Sequence, residues 1–176
     1  MSYLYHMVHN DMEGNVLYPL NQLKTIFPKL YEKYSAKYKG REEVTELVIP
    51  ALNCLWNDVL HFSPVHPKLI KDVYVSAGHY FPTVRFYQID PEMLDPKNTI
   101  IFLNEPDGAV KPSLNPNSFI TYSPEVIAQH TDLPQAAIDF FNSIPKGAPQ
   151  PNMHVFVPHV LYKGSLDISD VEIITI

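Results

Sequence analysis

The sequence predicts an α+β domain with a mixed, mainly antiparallel sheet, and three observations carry this prediction. Hydrophobic residues make up 45% of the 176 residues, enough for one buried core. Segments with strand-like alternation occur near both ends of the chain, and segments with helical spacing lie between them. The 17 prolines divide the chain into short elements, because proline lacks an amide donor and restricts the residue before it. We therefore expect one domain, residues 1–176, in which strands and helices are interspersed.

The first part of the chain predicts a strand followed by a helical region. Residues 3–9 alternate as a strand does, so His6 and His9 are expected to point to opposite faces. Apolar residues between positions 19 and 38 follow helical spacing. Pro28 is expected to kink this helix or to split it in two.

The middle of the chain predicts a strand, a turn and a helix, and then two further strands. Residues 58–62 form the first strand, and residues 68–78 form a helix that ends at Gly78. Residues 83–90 and 99–103 are rich in branched and aromatic side chains, and we expect them to pair with each other.

The last part of the chain predicts a long exposed loop, two helices and a β-rich end. The loop spans residues 104–117, and its length favours a functional role. Ser123 is the expected N-cap of one helix, and Asp132 is the expected cap of a second helix at residues 134–144. The other strands are predicted at residues 118–122, 153–157, 159–164 and 171–176.

Charge and composition narrow the classes of partner. A net charge of −6 argues against a nucleic-acid binder, which usually carries a basic excess on one face. The sequence has no run of about 18 apolar residues and no basic, apolar leader, so we expect no membrane insertion and a cytoplasmic location. The single cysteine, Cys54, lies among apolar residues and is expected to be a buried thiol in a reducing compartment.

The eight histidines raise the question of a metal site. The close pairs are His6 with His9, His61 with His66, and His154 with His159. None has the spacing that lets two imidazoles on one helix or strand share an ion, so the sequence predicts no metal. Convergence of histidines from distant strands stays open, and with it a metal-assisted hydrolase.

The segment "WNDVLHFSPVHP" concentrates polar and aromatic side chains at the end of a predicted strand. Its polar or aromatic members surround one short strand and the turn after it: Trp56, Asn57, Asp58, His61, Ser63 and His66. For each residue alone, the ordinary explanation is capping of the next helix or packing in the core. Together they mark a candidate binding site.

The run "LYHMVH" resembles the first strand of ADP-ribosyltransferase-like proteins, where a histidine meets the ribose of NAD. This resemblance would give His6 that role. "VLHFS" and "PVHPKLIKDVY" are similar to the next signature of that family, a strand with a small residue and then a helix whose tyrosine stacks on nicotinamide. Ser63 and Tyr74 would be the counterparts.

The resemblance implies an ADP-ribosyltransferase-like fold and NAD as ligand or substrate. Its NAD-binding residues would be His6, Tyr5, His61, Ser63 and Tyr74. The catalytic glutamate usual in the closing segment is replaced by "NMHVFVPH", and Glu172 lies too far along to substitute. The resemblance therefore leaves three possibilities: binding without transfer, an unusual catalytic use of His6, His154 and His159, or a different phosphorylated ribose.

A second interpretation is a non-catalytic interaction protein, such as an immunity protein, in which tyrosines and histidines form a surface for a protein partner. The chain also resembles a small set of bacterial proteins through "NCLWNDV" and "VPHVLYKG". That second resemblance implies no activity.

Overall fold

The structure is a computed structural model, which describes residues 2–108, 113–149 and 151–176. Short strands and short helices alternate along the chain, so the α+β class is confirmed. The strands are β1 (Leu4–Met7), β2 (Val16–Leu17), β3 (Val48–Ile49), β4 (Cys54–Leu55), β5 (Leu60–Phe62), β6 (Arg85–Ile89), β7 (Thr99–Phe102), β8 (Phe119–Thr121), β9 (His159–Tyr162), β10 (Leu166–Asp167) and β11 (Glu172–Thr175). The α-helices are α1 (Leu20–Ile26), α2 (Pro28–Ser35), α3 (Pro67–Ser76), α4 (Pro124–Ile127) and α5 (Gln135–Ser143).

All strand pairs within the described residues are antiparallel, and they form four sheets. A three-stranded sheet has the order β1-β6-β11, and a four-stranded sheet has the order β5-β9-β7-β8. Two small ribbons, β2-β10 and β3-β4, complete the set. The mainly antiparallel character expected from the sequence is therefore present.

The two larger sheets meet where β1 approaches the end of β5. Tyr5 and Ser63 exchange two main-chain hydrogen bonds, of 2.8 and 2.9 Å between nitrogen and oxygen. This bridge places the "LYH" strand directly beside the "LHFS" strand, although about 55 residues separate them. Side chains of β1 and β5 consequently share one region of the surface.

Proline splits the first helical region as expected. Phe27 leaves the helical conformation with φ of −136°, because the ring of the following proline disfavours the helical region for the residue before it. Pro28 then begins α2 at a position where its missing N–H costs nothing. The one-turn helix α4 begins as expected at Ser123, whose hydroxyl accepts from the Val126 amide.

Three groups of buried side chains form the core. One lies between the two larger sheets and includes Leu4, Phe62 and Ile101. A second joins α3 to α5 and contains Ile70, Tyr74, Phe81 and Phe141, and we call it the α3–α5 core. The third surrounds Ile49 and Phe102, and it holds Cys54, which is 9% exposed as the sequence predicted.

Three expectations about the elements are wrong. Strands β6 and β7 do not pair, because β6 lies between β1 and β11 while β7 lies between β9 and β8. Residues 153–156 form turns instead of a strand, and Phe156 adopts a positive φ of 57°. Asp132 does not cap α5, which begins after Pro134 without a side-chain cap. Part of the predicted loop, residues 109–112, lies outside the described residues.

Candidate functional site

Four histidines from three different strands and one turn come together beside Trp56, and we call this group the histidine cluster. Its members are His6 on β1, His61 on β5, His159 on β9 and His154 in the turn before β9. The His61 and His159 ring centres are 6.2 Å apart, and those of His154 and His159 are 6.1 Å apart. The Trp56 ring centre lies 4.4 Å from that of His61.

Sheet register explains why His61 meets His159. His61 pairs with Leu161 across β5 and β9, so His159 is its diagonal neighbour two residues along. Side chains two residues apart on a strand lie on the same face. The register thus directs both imidazoles to one face of the four-stranded sheet.

Main-chain carbonyls fix the tautomer of three of these rings. His6 Nδ1 lies 2.8 Å from the His61 oxygen, His61 Nε2 lies 2.9 Å from the Trp56 oxygen, and His159 Nδ1 lies 2.8 Å from the Val157 oxygen. A carbonyl oxygen only accepts, so the bonded nitrogen of each ring carries the proton. The other nitrogen of each ring is then a hydrogen-bond acceptor.

These acceptor nitrogens are open. Within the described residues these nitrogens have no hydrogen-bond partner. They are not fully buried either, since the one side-chain atom of the described residues that is both buried and unpartnered is His79 Nε2. All four residues are partly exposed. His6 Nε2, His61 Nδ1 and His159 Nε2 are therefore accessible to solvent.

Burial keeps all four rings neutral at neutral pH. Desolvation is the largest cause, and it lowers the pKa of His6 and His159 to about 4 and that of His61 and His154 to about 3. Electrostatic interaction with His6 further lowers the pKa of His61 and His154. Neutral imidazoles present lone pairs instead of a second N–H.

A cation adds to the field of the cluster. The positive charge of Lys37 contributes to lowering the pKa of His6, His9 and His61. No carboxylate of the described residues is among the groups that shift the four cluster histidines. Lys37 is therefore the charged side chain of the described residues that acts on His6 and His61.

His9 also lies near this group, contrary to the expectation that it points away from His6. The strand ends at Met7, so alternation no longer applies at His9. The ring centres of His6 and His9 are 6.4 Å apart, and His9 packs on Tyr34 with its ring centre 4.5 Å away.

A loop asparagine positions His154. The Asn104 amide nitrogen lies 3.1 Å from the His154 oxygen and 3.2 Å from the Val157 oxygen, so it donates to both ends of this turn. The positive φ of Phe156 reverses the chain between them. Strand spacing does not reveal this return, and no other local signal in the sequence does.

The remaining predicted site residues lie outside the histidine cluster. Ser63 is 4% exposed, and its hydroxyl is bonded to the main chain of Val65, as in a turn. Tyr5 is 7% exposed and packs its ring against His66, on the face of β1 opposite His6. Tyr74 is 1% exposed in the α3–α5 core. These three side chains therefore offer little surface to a ligand at His6.

Glu172 is on the wrong face to act beside His6. It pairs with Gln88 in β6, and Gln88 pairs with Tyr5 in β1, so these three residues form one row across the sheet. The Gln88 amide donates to the Glu172 carboxylate at 3.2 Å. Since His6 follows Tyr5, its side chain points to the opposite face.

Among the described residues, no group of three or more histidine, cysteine, aspartate or glutamate side chains has the geometry to hold a metal ion. None of the helices in the described ranges is long and apolar enough to cross a bilayer.

No protein-family model, curated protein or solved structure matches the chain in comparisons with known proteins.

Proposed function

We propose that the histidine cluster binds NAD or a related ribose nucleotide, in an ADP-ribosyltransferase-like domain. The observation that carries this proposal is the set of three neutral imidazoles whose open nitrogens accept hydrogen bonds beside Trp56. Ribose hydroxyls are donors of matching chemistry, because each can give its proton to an imidazole lone pair.

The two sequence segments that resemble an NAD site support the proposal through their placement. The "LYH" and "LHFS" strands are joined by the Tyr5–Ser63 bridge, and the His6 ring is bonded to the main chain of His61. A shared ligand requires this proximity. In the proposal, His6 and His61 take ribose hydroxyls, while His159 and His154 extend the same surface.

In the proposal, an aromatic ring contacts the base of the nucleotide, and a lysine charge contacts its pyrophosphate. Trp56 packs beside His61 and is partly exposed, so it offers a planar base an aromatic ring beside the cluster. Lys37 supplies the positive charge that a pyrophosphate needs.

The proposed activity is binding without group transfer. A general base works best when its pKa is close to the working pH, and pKa values of about 3 to 4 make these histidines weak bases. The position of Glu172 on the opposite face leaves the ribose without a carboxylate to stabilise developing positive charge.

Calorimetric titration with NAD and with ADP-ribose tests the proposal. We expect both ligands to bind and to raise the melting temperature in proportion to occupancy. His6→Ala should weaken binding by about tenfold, the usual loss when a hydrogen-bond partner is removed. His130→Ala is the matched control, because this partly exposed histidine follows α4 and lies outside the cluster.

Two results would overturn the proposal. One is the absence of heat and of any thermal shift with millimolar NAD and ADP-ribose. The other is wild-type affinity in a folded His6→Ala protein.

A protein partner is the second candidate, and exposed apolar side chains near α3 favour it. Leu69 and Val75 on α3 are 40% and 53% exposed, and Tyr80 just after the helix is 80% exposed. Exposed apolar side chains along one helix are a candidate contact site for a second copy of the chain. Sedimentation velocity over a concentration series tests self-association, and Val75→Glu should abolish any that is seen.

A further inference from the structure

A cavity lined by described residues has Asn57, the residue after Trp56, in its wall. Its volume is about 460 Å³, and it is open to solvent. Its walls come from the ends of α1 and α2 and from the turns near residues 42–46 and 55–57. The histidine cluster contributes no side chain to it.

Asn57 is a buried polar side chain with one half of its amide unused. The residue is 4% exposed, and its Oδ1 accepts from the Tyr38 hydroxyl at 2.8 Å. Burial raises the pKa of the Tyr38 hydroxyl, which therefore keeps its proton and donates it to Asn57 Oδ1. This bond fixes the orientation of the amide.

The Nδ2 group of Asn57 therefore points elsewhere. It has no hydrogen-bond acceptor within the described residues. It also keeps some solvent access, because it is absent from the atoms of those residues that are both buried and unpartnered. Asn57 lines the cavity, and its Oδ1 is already bonded to Tyr38, so Nδ2 is the part of the amide that is left for a ligand there. An amide donor in a mostly buried side chain gains free energy when a ligand carbonyl accepts from it.

The wall of the cavity also carries charged side chains. Glu42 and Glu46 supply two carboxylates, and Lys39 supplies one ammonium group. The Glu42 carboxylate already accepts from the Gly40 amide at 2.9 Å, whereas Glu46 makes no bond to another described residue. Leu20 and Leu55 give the cavity an apolar part.

We propose that this cavity binds a cationic ligand that carries an amide carbonyl, as in a peptide segment with a lysine or arginine side chain. The carbonyl oxygen accepts from Asn57 Nδ2, the aliphatic stem contacts Leu20 and Leu55, and the cation pairs with Glu46. The volume lies within the range typical of small-ligand sites, about 300 to 1,000 Å³. The site is separate from the histidine cluster, so it stands or falls independently of nucleotide binding.

Three small probes separate the parts of this proposal in titrations followed by NMR. N-acetyl-lysine methylamide carries both the carbonyl and the cation, N-acetyl-norleucine methylamide carries the carbonyl alone, and pentylamine carries the cation alone. We expect the side-chain NH2 signals of Asn57 to shift with the two amides and to stay in place with pentylamine. The lysine probe should bind several-fold more tightly than the norleucine probe, because of Glu46.

Two variants test the residues. Asn57→Asp keeps an acceptor for Tyr38 but replaces the donor with an oxygen, so binding of the norleucine probe should be lost. Glu46→Gln should remove the advantage of the lysine probe over the norleucine probe while leaving the latter unchanged. Asn117→Asp is the control, because Asn117 is exposed outside the cavity.

The proposal is overturned if neither amide shifts the Asn57 NH2 signals of the wild-type protein, a result that does not depend on any variant folding. It is also overturned if Glu46→Gln leaves the preference for the lysine probe intact.

Discussion

The histidine cluster and the α3–α5 core both pack imidazoles against aromatic rings, but they leave the polar atoms in different states. In the cluster, three rings donate one N–H to a main-chain carbonyl and open the other nitrogen to solvent. In the α3–α5 core, the Tyr74 ring is 1% exposed, and its hydroxyl donates to the Pro151 oxygen at 3.2 Å. His79 packs 5.4 Å from Tyr74 between ring centres, with its Nε2 buried and without a partner among the described residues.

This difference shows that residue type alone does not make a site. Histidine serves as packing in one region and as an open hydrogen-bond acceptor in the other. What separates the two regions is whether a ring atom that can bind a ligand also reaches the surface. Each of the following predictions tests one side of this comparison.

The largest expected effect of a single substitution is in the α3–α5 core. Tyr74→Ala should lower the free energy of unfolding by about 3 to 5 kcal/mol, because truncation of a buried aromatic ring leaves a cavity. Urea unfolding followed by circular dichroism measures this loss. Tyr80→Ala is the control, with an expected change below about 0.5 kcal/mol at an 80% exposed position. A loss below about 1 kcal/mol for Tyr74→Ala would show that this region is not packed as described.

The next effect is acid sensitivity of the histidine cluster. Its pKa values in the folded state, about 3 to 4, lie below the ordinary value of 6.5 expected for the unfolded chain. The free energy of unfolding is therefore highest above pH 6.5 and decreases as the pH falls towards 4. Between these pH values only the unfolded chain takes up protons on these histidines. Each cluster histidine should contribute a loss of roughly 1 kcal/mol per pH unit there.

Urea titrations at several pH values from 7 to 5 measure this slope. A variant with His154→Asn and His159→Asn should show a shallower dependence than the wild type. An unfolding free energy that stays constant over this range would contradict the burial of the cluster rings.

A smaller effect of opposite sign is expected at His79. Replacing this residue with phenylalanine keeps an aromatic ring beside Tyr74 and removes the unpartnered nitrogen. His79→Phe should raise the free energy of unfolding by about 1 kcal/mol, because an unpaired buried polar atom is no longer desolvated. His66→Phe is a comparison at a histidine whose Nδ1 does have a partner, the Lys68 amide, and it should not stabilise the protein. Equal effects of the two changes would remove the distinction.

The smallest effect concerns Lys37. Lys37→Gln should raise the pKa of His6 and His61 by a fraction of a unit, because a positive charge near each ring is lost. The pKa of His159 should not move, since Lys37 is not among the groups that shift it. Titration of the imidazole signals by NMR measures all three. A larger shift at His159 than at His61 would place the lysine elsewhere.

Local sequence patterns predicted many of the helices and strands. Helical spacing and Pro28 gave the split between α1 and α2, and the branched residues gave β6, β7 and β9. Strand pairing was less accessible, since β6 pairs with β1 and β11, each more than 70 residues away along the chain. Such pairing depends on which apolar faces are buried together, and local periodicity does not contain that information.

The candidate site was predicted only in part for the same reason. The sequence marked His6 and His61 because each lies in a distinctive segment. It also named His154 and His159, but it treated residues 153–157 as a strand, and that spacing argued against a shared position. The turn at Phe156 and the two hydrogen bonds from Asn104 bring His154 back towards His159.

The sequence by itself determined that this chain forms an α+β structure of short elements and that Cys54 is buried. It also marked His6 and His61 as candidate site residues. Only the tertiary structure decided that four imidazoles come together, that Tyr74 belongs to the core, and that Asn57 lines a cavity. The physical reason is that a strand's own alternation sets the face of each side chain, whereas pairing across β5, β9 and β1 sets which faces meet.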